Sequence, residues 1–78
     1  MPLLSWEKIE GTGDGDYVTR LHLMLRNGDV VRNVATVWPN GTWHTWDHNG
    51  TGGENSQERT VQRAKIEAAA SAIEQGFV

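Results

Sequence analysis

Apolar side chains recur at alternate positions through the first two thirds of the chain and at helical spacing in the last third, with glycine-rich stretches between the segments. The pattern predicts the order β-β-β-β-α, with strands over about 3–10, 17–26, 29–38 and 42–47 and a helix over about 56–75. The expected fold class is α+β: a four-stranded antiparallel meander with one C-terminal helix packed on one face, residues 1–78 forming a single domain.

Two Asn-Gly bends set the expected register. Taking Asn27-Gly28 as a two-residue loop puts Leu25 opposite Val30, Leu23 opposite Arg32, Leu21 opposite Val34 and Tyr17 opposite Trp38, all on the core face. The reverse face then carries Val18, Arg20, His22 and Met24 opposite Val37, Ala35, Asn33 and Val31. Taking Asn40-Gly41 as the next loop pairs Trp38 with Trp43 and Thr36 with Thr45, and leaves His44 and Trp46 on the reverse face beside Val37 and Ala35. Upstream, a first strand joined through Gly11-Thr12-Gly13-Asp14-Gly15-Asp16 pairs Trp6 with Leu21, Leu4 with Leu23 and Glu7 with Arg20.

The last segment reads as a helix capped by Asn55 or Ser56, with Glu58 in its first turn and Gly76 after its end. Val61, Ala64, Ala68 and Ala72 form one apolar stripe, Ile66, Ala69, Ile73 and Phe77 an adjoining one, and Arg63, Glu67 and Glu74 lie opposite. Alanine lets the helix approach the sheet closely, so the core volume falls to leucine and to Trp6, Trp38 and Trp43.

Composition narrows the chemistry. Without cysteine there is neither a disulfide scaffold nor a thiolate metal site, which fits a reducing compartment. The start shows no signal-peptide pattern and no apolar run is long enough for a bilayer, so the expected location is the cytoplasm. Seven basic against ten acidic residues give a net charge of −3, which weighs against phosphate binding and so against nucleic acid. The Asn40-Gly41-Thr42 and Asn49-Gly50-Thr51 triplets match a glycosylation acceptor but read as turns in such a location.

The segment from Asp47 to Glu58 fits the spacing of a calcium loop, with Asp47, Asn49, Thr51, Gly53 and Glu58 as oxygen ligands. It departs from that pattern in three ways: a strand enters it, Glu54 stands where an apolar anchor belongs, and only two ligands are charged. The competing reading is a glycine-rich turn in which Asp47 or Asn49 bonds local amides and Asn55 caps the helix, and no cofactor is expected otherwise. His44 and His48, four apart, would stand about 13 Å from each other on one strand, too far to share an ion unless the strand ends before His48. No nucleophile, carboxylate pair or phosphate loop accompanies them, so no enzyme is expected.

Trp46 on the reverse face, among His44, Arg20, His22 and Asn33, has the composition of a protein-recognition patch, the competing reading being a slipped register that buries it in the core, and Glu67 and Glu74 on the helix offer a second contact. The leading expectation is a protein-binding module; the free edges of the first and fourth strands also allow a homodimer by sheet extension. The short chain, the Trp38-Pro39-Asn40-Gly41-Thr42-Trp43 turn, Trp46-Asp47 and the terminal Ala-rich helix resemble small accessory proteins of bacteriophages and prophages, anti-CRISPR proteins among them. That resemblance implies a stoichiometric inhibitor of a bacterial defence complex. On this reading Asp14, Asp16, Glu54, Glu58, Glu67 and Glu74 engage a basic groove in a host nucleic-acid-handling complex. The alternative is a DNA-binding sheet: a meander backed by one helix resembles the AP2 and phage-integrase domains, with Arg20, Arg32, His44 and Trp46 as readers.

Overall fold

A computed structural model describes residues 3–11 and 18–78. Five strands and one helix follow each other as β1 (Leu3–Ile9), β2 (Arg20–Asn27), β3 (Val30–Val37), β4 (Thr42–Trp46), β5 (Gly52–Gln57) and α1 (Val61–Glu74). The sheet is an antiparallel meander in the order β1-β2-β3-β4-β5, and α1 lies on one face over β3, β4 and β5. The α+β class is as expected, with one strand more. Tyr17 and the expected loop residues Thr12 to Asp16 lie outside the described residues.

The added strand occupies residues expected to form the calcium loop and the helix start. Gly-Gly-Glu-Asn-Ser-Gln is rich in types that strands disfavour, yet it pairs with β4, His44 facing Asn55 and Trp46 facing Gly52. Its two glycines admit neighbours on both faces. A Cβ on Gly52 would sit 2.1 Å from the imidazole Nε2 of His44, and one on Gly53 would sit 2.6 Å from the ring of Phe77 and from Thr45 Oγ1. The helix therefore starts five residues later than expected. Its cap is Thr60, whose hydroxyl accepts the amide of Arg63 at 3.1 Å, instead of Asn55 or Ser56.

Both bends differ by small steps from the expected ones. Asn27 pairs with Val30, so the first loop is Gly28-Asp29, with the positive φ of 62° taken by the glycine rather than by Asn27. Between Leu23 and Met24 the register shifts: Leu23 faces Ala35 while Met24 faces Asn33, leaving Val34 as a bulge residue. Beyond it β3 turns over, and Ala35 and Val37 enter the core instead of the reverse face. The second bend shifts as well, Val37 facing Trp43 around the Trp38–Gly41 turn, so Trp38 leaves the core and stands half-buried beside that turn. The two shifts cancel for β4: Trp43 and Thr45 face the helix, His44 and Trp46 face away. β1 pairs two residues along from the expected register, Trp6 with Leu23 and Leu4 with Leu25, which keeps its core face.

The core consists of Leu23, Leu25, Val34, Ala35, Val37 and Trp43 from the sheet and Ala64, Ala68 and Ala72 from the helix. Trp6 packs only against its margin, with the Lys65 ammonium 5.8 Å from the ring centroid. Polar contacts fasten the C-terminal half of α1. Thr45 is fully buried; its hydroxyl accepts the Glu54 amide at 2.8 Å and Gln75 Nε2 at 3.0 Å, and Ser71 donates to the Glu54 carboxylate at 2.6 Å. Arg32, on the core side of β3, donates to the carbonyl of Phe77. Ile66 and Ile73, expected to cover the sheet, instead point to solvent at 57% and 59% exposure, because the Ala64–Ala68–Ala72 stripe occupies the contact.

Candidate recognition face

The helix leaves one side of the sheet open, and a row of side chains crosses it from Glu7 through His22, Thr36 and His44 to Asn55. Trp46 ends β4 on this face, opposite Gly52 of β5. Its indole N–H donates to Thr36 Oγ1 at 3.0 Å, and its ring stacks on His44 with centroids 4.2 Å apart and planes within 8°. Asn33 Nδ2 donates to the same hydroxyl at 3.0 Å, while Asn33 Oδ1 accepts the Ala35 amide at 3.1 Å. Thr36 is thereby buried under the indole. Gly52 completes the support, since only a residue without Cβ leaves room for the His44 ring.

The result is a flat aromatic surface held by one stacking partner and one hydrogen bond, and only partly in contact with water. An open hollow of about 540 Å³ lies at its Trp38–Pro39 end and one of about 510 Å³ at its Asp47–His48 end. The margin on β1 and β2 is charged but internally paired: Arg26 bonds the Glu7 carboxylate at 2.6 Å, and this guanidinium holds the Glu7 carboxyl below its ordinary range. His22 is half-buried, and burial, reinforced by the Arg20 charge, pushes its pKa down and favours the neutral ring.

Of the residues expected to recognise a partner, Trp46, His44, His22 and Asn33 share this face, and Arg20 stands at the start of β2 with its guanidinium on the Val18 carbonyl at 3.1 Å. Glu67 and Glu74 do not join them: α1 lies on the other side of the sheet, and Glu67 is paired with Arg63 at 2.8 Å. Glu54 and Glu58 are also engaged internally, Glu58 accepting the indole N–H of Trp43 at 3.1 Å. Asp14 and Asp16 lie outside the described residues. Sequence reasoning missed Thr36 and Gly52, the two positions that fix the indole; the adjacent glycines within residues 51–53 were the signal for a close approach.

The five calcium candidates do not converge. Asp47 accepts the amides of Asn49 and Thr51 at 2.8 and 3.0 Å and the Thr51 hydroxyl, which makes residues 47–51 a hairpin turn with Gly50 at φ 78°. The extended β5 then carries Glu58 to the opposite end of the sheet, roughly 20 Å along the strand. Among the described residues no group of three or more His, Asp or Glu side chains could hold a metal ion.

The Thr51 hydroxyl and amide, followed by the Asn49 amide, hold the Asp47 carboxyl below its ordinary range. Since the folded chain then releases this proton more readily than the unfolded chain, the turn's contribution is complete above about pH 4 and is lost as pH falls through the lower folded value. Amide shifts of Asn49 and Thr51 followed by NMR are expected to titrate with a midpoint below about 3.9, and Asp47→Asn removes that transition. A midpoint at the ordinary carboxylate value contradicts the turn's hydrogen bonds.

No family model, curated protein or solved structure matches this chain. No helix among the described residues is long and apolar enough to cross a membrane.

Proposed function

We propose that the chain is a non-enzymatic protein-binding module whose helix-free sheet face docks a protein partner around Trp46 and His44. The observation that supports this most strongly is the partly exposed indole held by a stacking partner and a hydrogen bond: an aromatic surface that loses little entropy on binding suits the centre of a protein interface. With the resemblance to small phage accessory proteins, the reading extends to a phage-encoded stoichiometric inhibitor that occupies a site on a bacterial defence complex, in the host cytoplasm. Arg32 faces the core side and bonds the Phe77 carbonyl, which leaves the DNA-binding alternative only Arg20, His44 and Trp46 as readers on a chain of net charge −3.

Affinity capture from bacterial lysate with the wild-type chain and with Trp46→Ala as baits tests this reading. A protein retained by the wild type and depleted at least about tenfold by the variant, with little change in thermal midpoint, is the expected result. Equal retention by both, or salt-sensitive retention of duplex DNA with no protein, contradicts it.

A further inference from the structure

The solvent side of α1 carries a second surface, independent of the recognition face. Ile66 and Ile73 are seven residues apart, so they stand one above the other within about 20° on the helix, with Ala69 and Ala70 between them. Both isoleucines are more than half exposed, at 57% and 59%. Across the helix from them, Ala64, Ala68 and Ala72 already hold the sheet, so nothing among the described residues requires a ridge of β-branched residues there. Isolated exposed apolar residues are ordinary; two isoleucines aligned over small residues make a contiguous ridge.

The charges beside the ridge identify its occupant. Arg63 and Glu74 lie on the same flank, about 60° and 80° round from Ile66, at opposite ends of the helix. An identical helix laid antiparallel against the ridge would put Ile66 on Ile73 of the second copy. It would also bring each Arg63 to within side-chain reach of a Glu74, twice by symmetry. A parallel arrangement would put this flank of the two copies on opposite sides of the contact, so that no Arg63–Glu74 pair could form across it. Glu74 makes no ion pair among the described residues, and Arg63 has only the exposed pair with Glu67. Ala69 and Ala70 at the crossing point permit close approach of the two axes.

We infer that the chain forms a homodimer through antiparallel pairing of the α1 ridges. Its centre is Ile66 against Ile73, and reciprocal Arg63–Glu74 pairs set the orientation. A contact confined to one helix from each copy lies at the low end of specific interfaces, below about 1,200 Å² in total, so the pair is reversible, with a Kd on the order of tens of micromolar. The sheets end up outermost, and the two Trp46 faces point away from each other. A dimer of this form is two-headed, and it presents its faces whether or not the proposed partner is correct.

Sedimentation of the full chain from about 5 µM to 1 mM tests the inference, and its readout does not depend on the partner. The wild type is expected to pass from monomer to dimer across that range. Ile66→Glu with Ile73→Glu is expected to remain monomeric with an unchanged circular dichroism spectrum, since both positions are exposed. Arg63→Glu and Glu74→Arg are each expected to weaken the dimer about fivefold, and their combination to restore it. The combination decides the matter even if the double glutamate variant fails to fold. A wild type that stays monomeric throughout, a dimer that survives both glutamates, or a charge swap that restores nothing overturns the inference; the second outcome points to pairing through an edge strand, β1 or β5.

Discussion

Trp43→Ala is expected to cost about 3–5 kcal/mol in an equilibrium denaturation measurement, which for a chain whose total stability is about 4–12 kcal/mol leaves much of the population unfolded at room temperature. The indole is 6% exposed at the centre of the sheet, against the alanine stripe of α1. Alanines cannot spread into the space it vacates, so the loss includes the cavity as well as the burial. The substitution also leaves the Glu58 carboxylate without its 3.1 Å donor, which loosens the segment between β5 and the helix. Trp6, half-buried at the margin under Lys65, bears less of the core than its size suggested, so Trp6→Ala costs less than Trp43→Ala. Equal losses for both contradict the placement of the core.

Gly41→Ala is expected to destabilise by roughly 2–4 kcal/mol, large for one methyl group. Gly41 adopts φ 86°, where a side chain is strained, and its Cβ would lie 2.2 Å from the backbone carbonyl oxygen of Glu58. Backbone cannot rotate away as a side chain tip can. The Glu58 amide donates to the Gly41 carbonyl at 2.9 Å, so separating the two segments also breaks the contact that holds the end of β5 against the Trp38–Gly41 turn. Gly28→Ala is the control: it shares the positive φ and has nothing within 4 Å, so its smaller loss measures the backbone strain alone. The same thermal or denaturant curve for both variants contradicts the close approach.

The parts of this fold legible in the sequence are those where side-chain period carries the information. Leu21, Leu23 and Leu25 mark the core face of β2, Leu4 and Trp6 that of β1, and Val61, Ala64, Ala68 and Ala72 the inner stripe of the helix. What stayed hidden depends on backbone geometry. The bulge at Val34 has no glycine or proline to announce it, only two successive apolar residues, Val34 and Ala35, and it inverts the faces of Ala35 and Val37. β5 is hidden because its residues are chosen to leave room for His44 and Phe77, not to fill a core. His44 and Trp46 kept their expected face because the shift at the Trp38–Gly41 turn undoes the inversion made at Val34. The calcium spacing, in turn, was a turn's own hydrogen-bonding chemistry: an acid, an amide, a glycine and a hydroxyl in the order that closes residues 47–51.

Everything proposed for the open face requires the Trp46 indole to lie on the side of the sheet away from α1. Nuclear Overhauser contacts from its ring protons measure this most directly. The account predicts contacts to the His44 ring and to the Thr36 methyl group, and none to the helix. Contacts to the methyl groups of Ala64, Ala68 or Ala72 would put the indole in the core and contradict it.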